Sequence, residues 1–129
     1  MFSKCTTTKQ QGNIGVSHAI QYFSSKCYTV SIPLNDSQDY DLVVDIDNTL
    51  HKVQVKTTKF KSPSGNFTAS LKNSGGSSRE IYGHVNTGNC TLLYILCSNG
   101  DAYLLPRDVF VDISTSITLG EKYFEYLVI

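Results

Sequence analysis

Two β-branched runs separated by Asp47-Asn48 constrain this chain more than any other feature. Tyr40-Asp-Leu-Val-Val-Asp-Ile46 precedes the pair, and Thr49-Leu-His-Lys-Val-Gln-Val-Lys-Thr57 follows it. Such runs favour extended backbone, and Asp-Asn tolerates the left-handed conformation that a two-residue reversal demands. The segment therefore predicts a β-hairpin. With Asp47 and Asn48 as the whole loop, Ile46 faces Thr49, and counting outward brings Asp41 opposite Gln54. Side chains alternate faces along a strand. Gln54 and Lys56 thus share one face, while Val53 and Val55 point the other way, into the core. Lys56 becomes the diagonal neighbour of Asp41, within reach of a long side chain. Three polar groups converge on one patch of sheet.

Around this hairpin the pattern changes period. Val16, Ala19, Ile20, Phe23 and Cys27 fall on one helical stripe, which predicts a helix over about 12–26. Residues 1–10 read as a flexible arm before it. Tyr28–Pro33 reads as a strand closed by proline, and Lys59–Gly65 as a turn. Asn66–Leu71 fits a third antiparallel strand. Residues 72–89, rich in Gly, Ser and Asn, read as a long polar loop of the kind that carries function. Leu92–Cys97 and Ala102–Leu105 flank a second hairpin turn, Pro106–Phe110 suggests a helical turn, and Tyr123–Ile129 alternates like a last strand. The chain, 1–129, reads as a single domain of α+β class, an N-terminal helix packed on a mixed or antiparallel sheet.

The charges favour a polyanion as partner. The net charge is zero, yet Asp36, Asp39, Asp41, Asp45 and Asp47 form an acidic knot with no base between them. Lys52, Lys56, Lys59, Lys61, Lys72 and Arg79 then form a basic tract with no acid. A metal-dependent enzyme acting on nucleic acid needs both, acids for a cation and bases for phosphates. A solvated surface hairpin would show the same charges, so charge alone leaves the two open. No apolar run approaches the 18 residues of a membrane span, and the polar N-terminus lacks a secretory core, so an intracellular, non-secreted protein with no membrane role is expected. The four cysteines lack zinc-site spacing and read as buried thiols.

Asp, Gln and Lys on one sheet face suit a particular chemistry. A carboxylate binds a hard cation such as Mg²⁺ or Mn²⁺, and an amide oxygen from Gln54 adds a neutral ligand. A lysine beside them can act on a water aligned with a phosphate. Ordinary surface polars remain the alternative.

The wider pattern narrows the choice. Gln11-Gly-Asn-Ile-Gly15, Ala19, Tyr22-Phe23, Tyr28, Val30, Pro33-Leu34, Tyr40-Asp-Leu-Val-Val44 and Val53-Gln-Val-Lys-Thr-Thr58 together resemble the PD-(D/E)XK, restriction-endonuclease-like nuclease superfamily. The likeness is to its branch of group I intron homing endonucleases, over about residues 11–75. It implies that Asp41 is the Asp of the PD half and a metal ligand, that Gln54 fills the D/E position, and that Lys56 is the motif lysine. It further implies that the Val55 carbonyl ligates metal. The stretch Leu71-Lys-Asn-Ser-Gly-Gly76 is similar to a DNA-contacting segment of those enzymes. The implied DNA contacts are therefore Thr58, Lys59, Lys61, Lys72, Asn73, Ser74 and Arg79. The implied protein is a Mg²⁺- or Mn²⁺-dependent endonuclease hydrolysing phosphodiester bonds of double-stranded DNA, working as a homo-oligomer, a dimer or tetramer. A Holliday-junction resolvase, a non-cleaving DNA-binding relative and a small interaction domain unrelated to DNA are the rivals. One departure stands out. The family often carries a first-helix Glu where this chain has Val16, which leaves Asp39 or His18 to fill the gap, or a site with one metal. Tyr40 replaces the Pro of PD, a change of backbone shape alone.

Overall fold

Asp47 and Asn48 both take positive φ, 51° and 67°, the left-handed pair that a two-residue hairpin loop requires. The hairpin register follows as expected, from Leu42↔Val53 to Ile46↔Thr49. The computed structural model describes residues 1–35, 37–74, 81–85 and 88–129. Its elements in order are α1 (Thr8–Ser25), β1 (Thr29–Ser31), β2 (Leu42–Ile46), β3 (Thr49–Thr58), β4 (Thr68–Ser70), β5 (Lys72–Ser74), β6 (Ile81–His84), β7 (Leu92–Cys97), β8 (Ala102–Pro106), α2 (Arg107–Phe110), β9 (Ser116–Thr118) and a 3₁₀ turn, Glu121–Tyr126.

Five strands form one mixed sheet in the order β1-β2-β3-β7-β8, antiparallel except for the β3–β7 pair. The class is α+β, as expected. α1 covers one face, where Ala19 and Phe23 pack with Leu42, Val44, Val53, Val55, Tyr94 and Leu96. The opposite face carries a second core of Leu93, Ile95, Tyr103 and Leu105 with Leu71, Val85, Phe110 and Ile117. That layer holds the β4–β9 pair. No helix among the described residues is long and apolar enough to cross a membrane.

Several expectations need correction. Asn66–Leu71 does not join the hairpin sheet, because β2 and β7 already occupy both edges of β3; β4 pairs with β9 instead. Tyr123–Ile129 is not a strand: Tyr123 and Tyr126 both face the second core, a three-residue spacing that a 3₁₀ turn satisfies. Residues 1–10 are not a free arm, since Phe2 is buried and Thr7 caps a helix that begins at Thr8. Within 72–89 the chain pairs β5 with β6 in an antiparallel ribbon. Cys27 leaves the helical stripe, exposed and at φ 63°, where α1 ends.

Candidate active site

β2 ends before β3 does, and the site lies in the gap. The Lys52 carbonyl accepts from Thr91 N–H and the Thr58 carbonyl from Ser98 N–H, each at 2.9 Å, toward β7. Alternation turns the N–H and C=O of Val55 to the opposite edge, where β2 has already stopped. Asp41, just before β2, fills that edge. Its N–H donates to Val53 O at 2.8 Å, a step out of the ladder register. Its carboxylate Oδ2 accepts Val55 N–H at 2.8 Å and Gln54 Nε2–H at 3.0 Å. The same Gln54 amide donates to Val55 O at 3.4 Å. Both of those neighbours are acceptors, so the amide must present nitrogen to them. Asp41, Gln54 and the Val55 carbonyl thus meet in one notch.

Lys56 stands on the same face as Gln54. Its Nζ donates to the Lys72 carbonyl at 2.7 Å, which ties the notch to the first strand of the β5–β6 ribbon. Burial raises the Asp41 carboxyl above the usual carboxylate value, with the Val55 hydrogen bond and the Lys56 charge opposing. Burial likewise lowers Lys56, with the Asp41 charge and then Cys90 opposing. Desolvation dominates on both, so neither charge is comfortable without a further partner. The Cys90 thiol, buried beside them, is pushed up to about 11 by burial.

Helix α1 approaches closely at Gly15, where a Cβ would collide with Thr57 Cγ2. Gln11 Nε2–H donates to Thr57 Oγ1 at 2.9 Å and fixes the same crossing. Val16 packs against the helix-side core and carries no donor or acceptor on its side chain. Neither substitute for a first-helix carboxylate is free: His18 Nδ1 bonds the Tyr94 hydroxyl at 2.8 Å, and Asp39 Oδ2 accepts Asn89 N–H at 2.9 Å. Among the described residues, no three His, Cys, Asp or Glu side chains come together as a metal cluster.

The expected DNA-contacting residues divide. Lys59, Lys61 and Lys72 are exposed. Asn73 and Ser74 belong to β5, and Arg79 lies outside the described residues. Thr58 is a correction: it is 2% exposed, and its hydroxyl donates to Thr68 O and accepts from Phe60 N–H. It pins the turn after β3, with its hydroxyl turned into the fold rather than toward solvent. Sequence reasoning missed the Lys56–Lys72 contact and the Asp39–Asn89 contact. Both join positions far apart in the chain and leave no local pattern.

A family model described as PD-(D/E)XK endonuclease matches residues 6–125. No curated protein sequence gives a significant match. Among solved structures, the bacterial homing endonuclease I-Ssp6803I is similar at a TM-score of 0.78 and 27% identity, over 94% of this chain and 88% of its own. A family match spanning the helix, the β2–β3 hairpin and the second core, together with that likeness, places this chain in the PD-(D/E)XK endonuclease family.

Proposed function

We propose that this chain is a divalent-metal-dependent DNA endonuclease that hydrolyses phosphodiester bonds at specific sites, as a homing enzyme does. The observation that carries the proposal is the notch, where the Asp41 carboxylate, the Gln54 amide and the Val55 carbonyl converge beside Lys56. The donor set is all oxygen once the Gln54 amide is turned end for end, and hard oxygen donors suit Mg²⁺ or Mn²⁺. Asp41, Gln54 and Val55 would hold the ion, which when bound supplies a Lewis acid for a phosphate oxygen and a more acidic water.

The chain's own groups do the rest. Asp41, desolvated and raised, gains by facing a cation. The three N–H donors of Lys56 Nζ can orient a water toward the scissile phosphate and balance its charge. Lys59, Lys61 and Lys72 lie exposed on the segments that leave β3 and enter the ribbon, where they can track a DNA backbone. The β5–β6 ribbon, joined to Lys56 through the Lys72 carbonyl, suits entry into a major groove. Cutting both strands takes two such notches, so the working form is a homo-oligomer, a dimer or tetramer.

The test is cleavage of a randomised duplex library in Mg²⁺, with sequencing of the new ends. Recurrent cut positions support a site-specific endonuclease. Scattered ends would leave a nuclease without the homing specificity. Retained binding with no new ends in Mg²⁺ or Mn²⁺ would make the chain a binding protein, with Val16 as the mark of the lost ligand.

A further inference from the structure

We infer that Asp39 is a positioning residue that holds the Asp41 carboxylate in the notch through a seat made by Gly88 and Asn89; this rests on the metal-dependent function proposed above. Asp41 is not held by the regular sheet ladder. β2 begins at Leu42, and the Asp41 N–H reaches Val53 O out of register. Half-buried Asp39, two residues upstream, offers a further anchor: its Oδ2 accepts Asn89 N–H at 2.9 Å. Glycine leaves room for that contact, because a Cβ on residue 88 would lie 2.5 Å from the same oxygen and push the Asp39 carboxylate aside.

The seat is itself fastened to the framework. Gly88 N–H donates to Val85 O at 3.2 Å, and Thr91 N–H to Lys52 O at 2.9 Å. The Cys90 carbonyl accepts from Arg107 Nη1–H at 2.8 Å. Between the two aspartates, the Tyr40 ring packs against the second core and lies 5.2 Å from Lys52 Nζ. The backbone is gripped at Asp39 and Tyr40 and delivers Asp41 onto Val55 N–H. Asp39 acts here as a hydrogen-bond acceptor. What the seat requires is an oxygen, which distinguishes this role from that of a metal ligand.

The test is Mn²⁺ binding by calorimetry, on the full chain without DNA. Wild type should bind, and Asp41→Ala should not. Asp39→Ala and Gly88→Ala should each weaken Mn²⁺ affinity by about tenfold or more, the loss typical of a group that orients a ligand. Asp39→Asn keeps an acceptor oxygen and should stay within about twofold of wild type. Gly88→Ala leaves Asp39 in place, so it reports even if Asp39→Ala folds poorly. Wild-type affinity in both Asp39→Ala and Gly88→Ala overturns the inference. Asp39→Asn as weak as Asp39→Ala overturns it too, because the charge would then be what matters. Wild type without Mn²⁺ binding would sink the proposed function and this role together.

Discussion

Substitution of Asp41 by Asn and by Ala separates its structural work from its chemical work. In the wild type, Oδ2 accepts two hydrogen bonds, from Val55 N–H and Gln54 Nε2–H. Asp41→Ala leaves the Val55 N–H on the sheet edge with no acceptor, a loss of about 1–3 kcal/mol. Asp41→Asn retains an oxygen for that N–H and removes the charge. For a chain of this size each kcal/mol shifts Tm by about 3–5 °C, so the Ala variant should melt roughly 3–15 °C below the Asn variant. The charge acts in the opposite direction to the usual surface carboxylate. Burial raises the folded-state pKa of Asp41 above its unfolded value. Its favourable contribution is therefore complete below the ordinary carboxylate range and is lost as pH rises through the raised value. Without metal, Asp41→Asn should gain on the wild type as pH climbs from the ordinary carboxylate range through the raised value. Circular-dichroism melts of the three proteins in chelator, at several pH values, read both effects. An Asn variant no more stable than the Ala variant, or a wild-type-to-Asn gap flat in pH, would refute the reasoning.

Other perturbations probe the same framework. Gly15→Ala should destabilise by about 1–3 kcal/mol by overpacking against Thr57 Cγ2 and Val55 Cγ1, despite a gain of up to about 1 kcal/mol in helix propensity; chemical denaturation checks the sign. Val16→Glu places a carboxylate in the helix-side core margin and should lower stability, while changing cleavage only modestly if one metal suffices; rescue from no activity would mark a degenerate site. Charge reversal at the exposed Lys59, Lys61 and Lys72 should flatten the log-affinity against log-salt slope for DNA by about 0.9 per lost phosphate contact. An unchanged slope would exclude this surface.

Local chemistry made the hairpin legible. Asp47-Asn48 permits only a tight reversal there, the β-branched runs fix strand character, and period two then assigns every face. Asp41, Gln54 and Lys56 fall on one patch for that reason, and the β2–β3 register is the one expected. The parallel pairing of β3 with β7 was not legible, because it joins segments separated by the β4–β6 excursion. A signal existed: Leu92–Cys97 is a continuous apolar run, and buried parallel strands read that way rather than alternating. Without that pairing β3 would keep an open edge for Asn66–Leu71, the edge that β7 fills. Thr58 is expected among the DNA contacts, but its hydroxyl bridges Thr68 O and Phe60 N–H inside the fold. Phe2, the lone aromatic in a polar leader, was the cue that the leader packs.

Nicking of supercoiled DNA by the wild type and by Lys56→Ala, in Mg²⁺ and in chelator, tests the central claim most directly. Lys56 Nζ is seated on the Lys72 carbonyl beside Asp41. The account expects nicking by the wild type in Mg²⁺, none in chelator, and a rate lower by about 10²-fold or more for a correctly folded Lys56→Ala. Nicking that persists in chelator, or a Lys56→Ala protein that cuts at the wild-type rate, would contradict it.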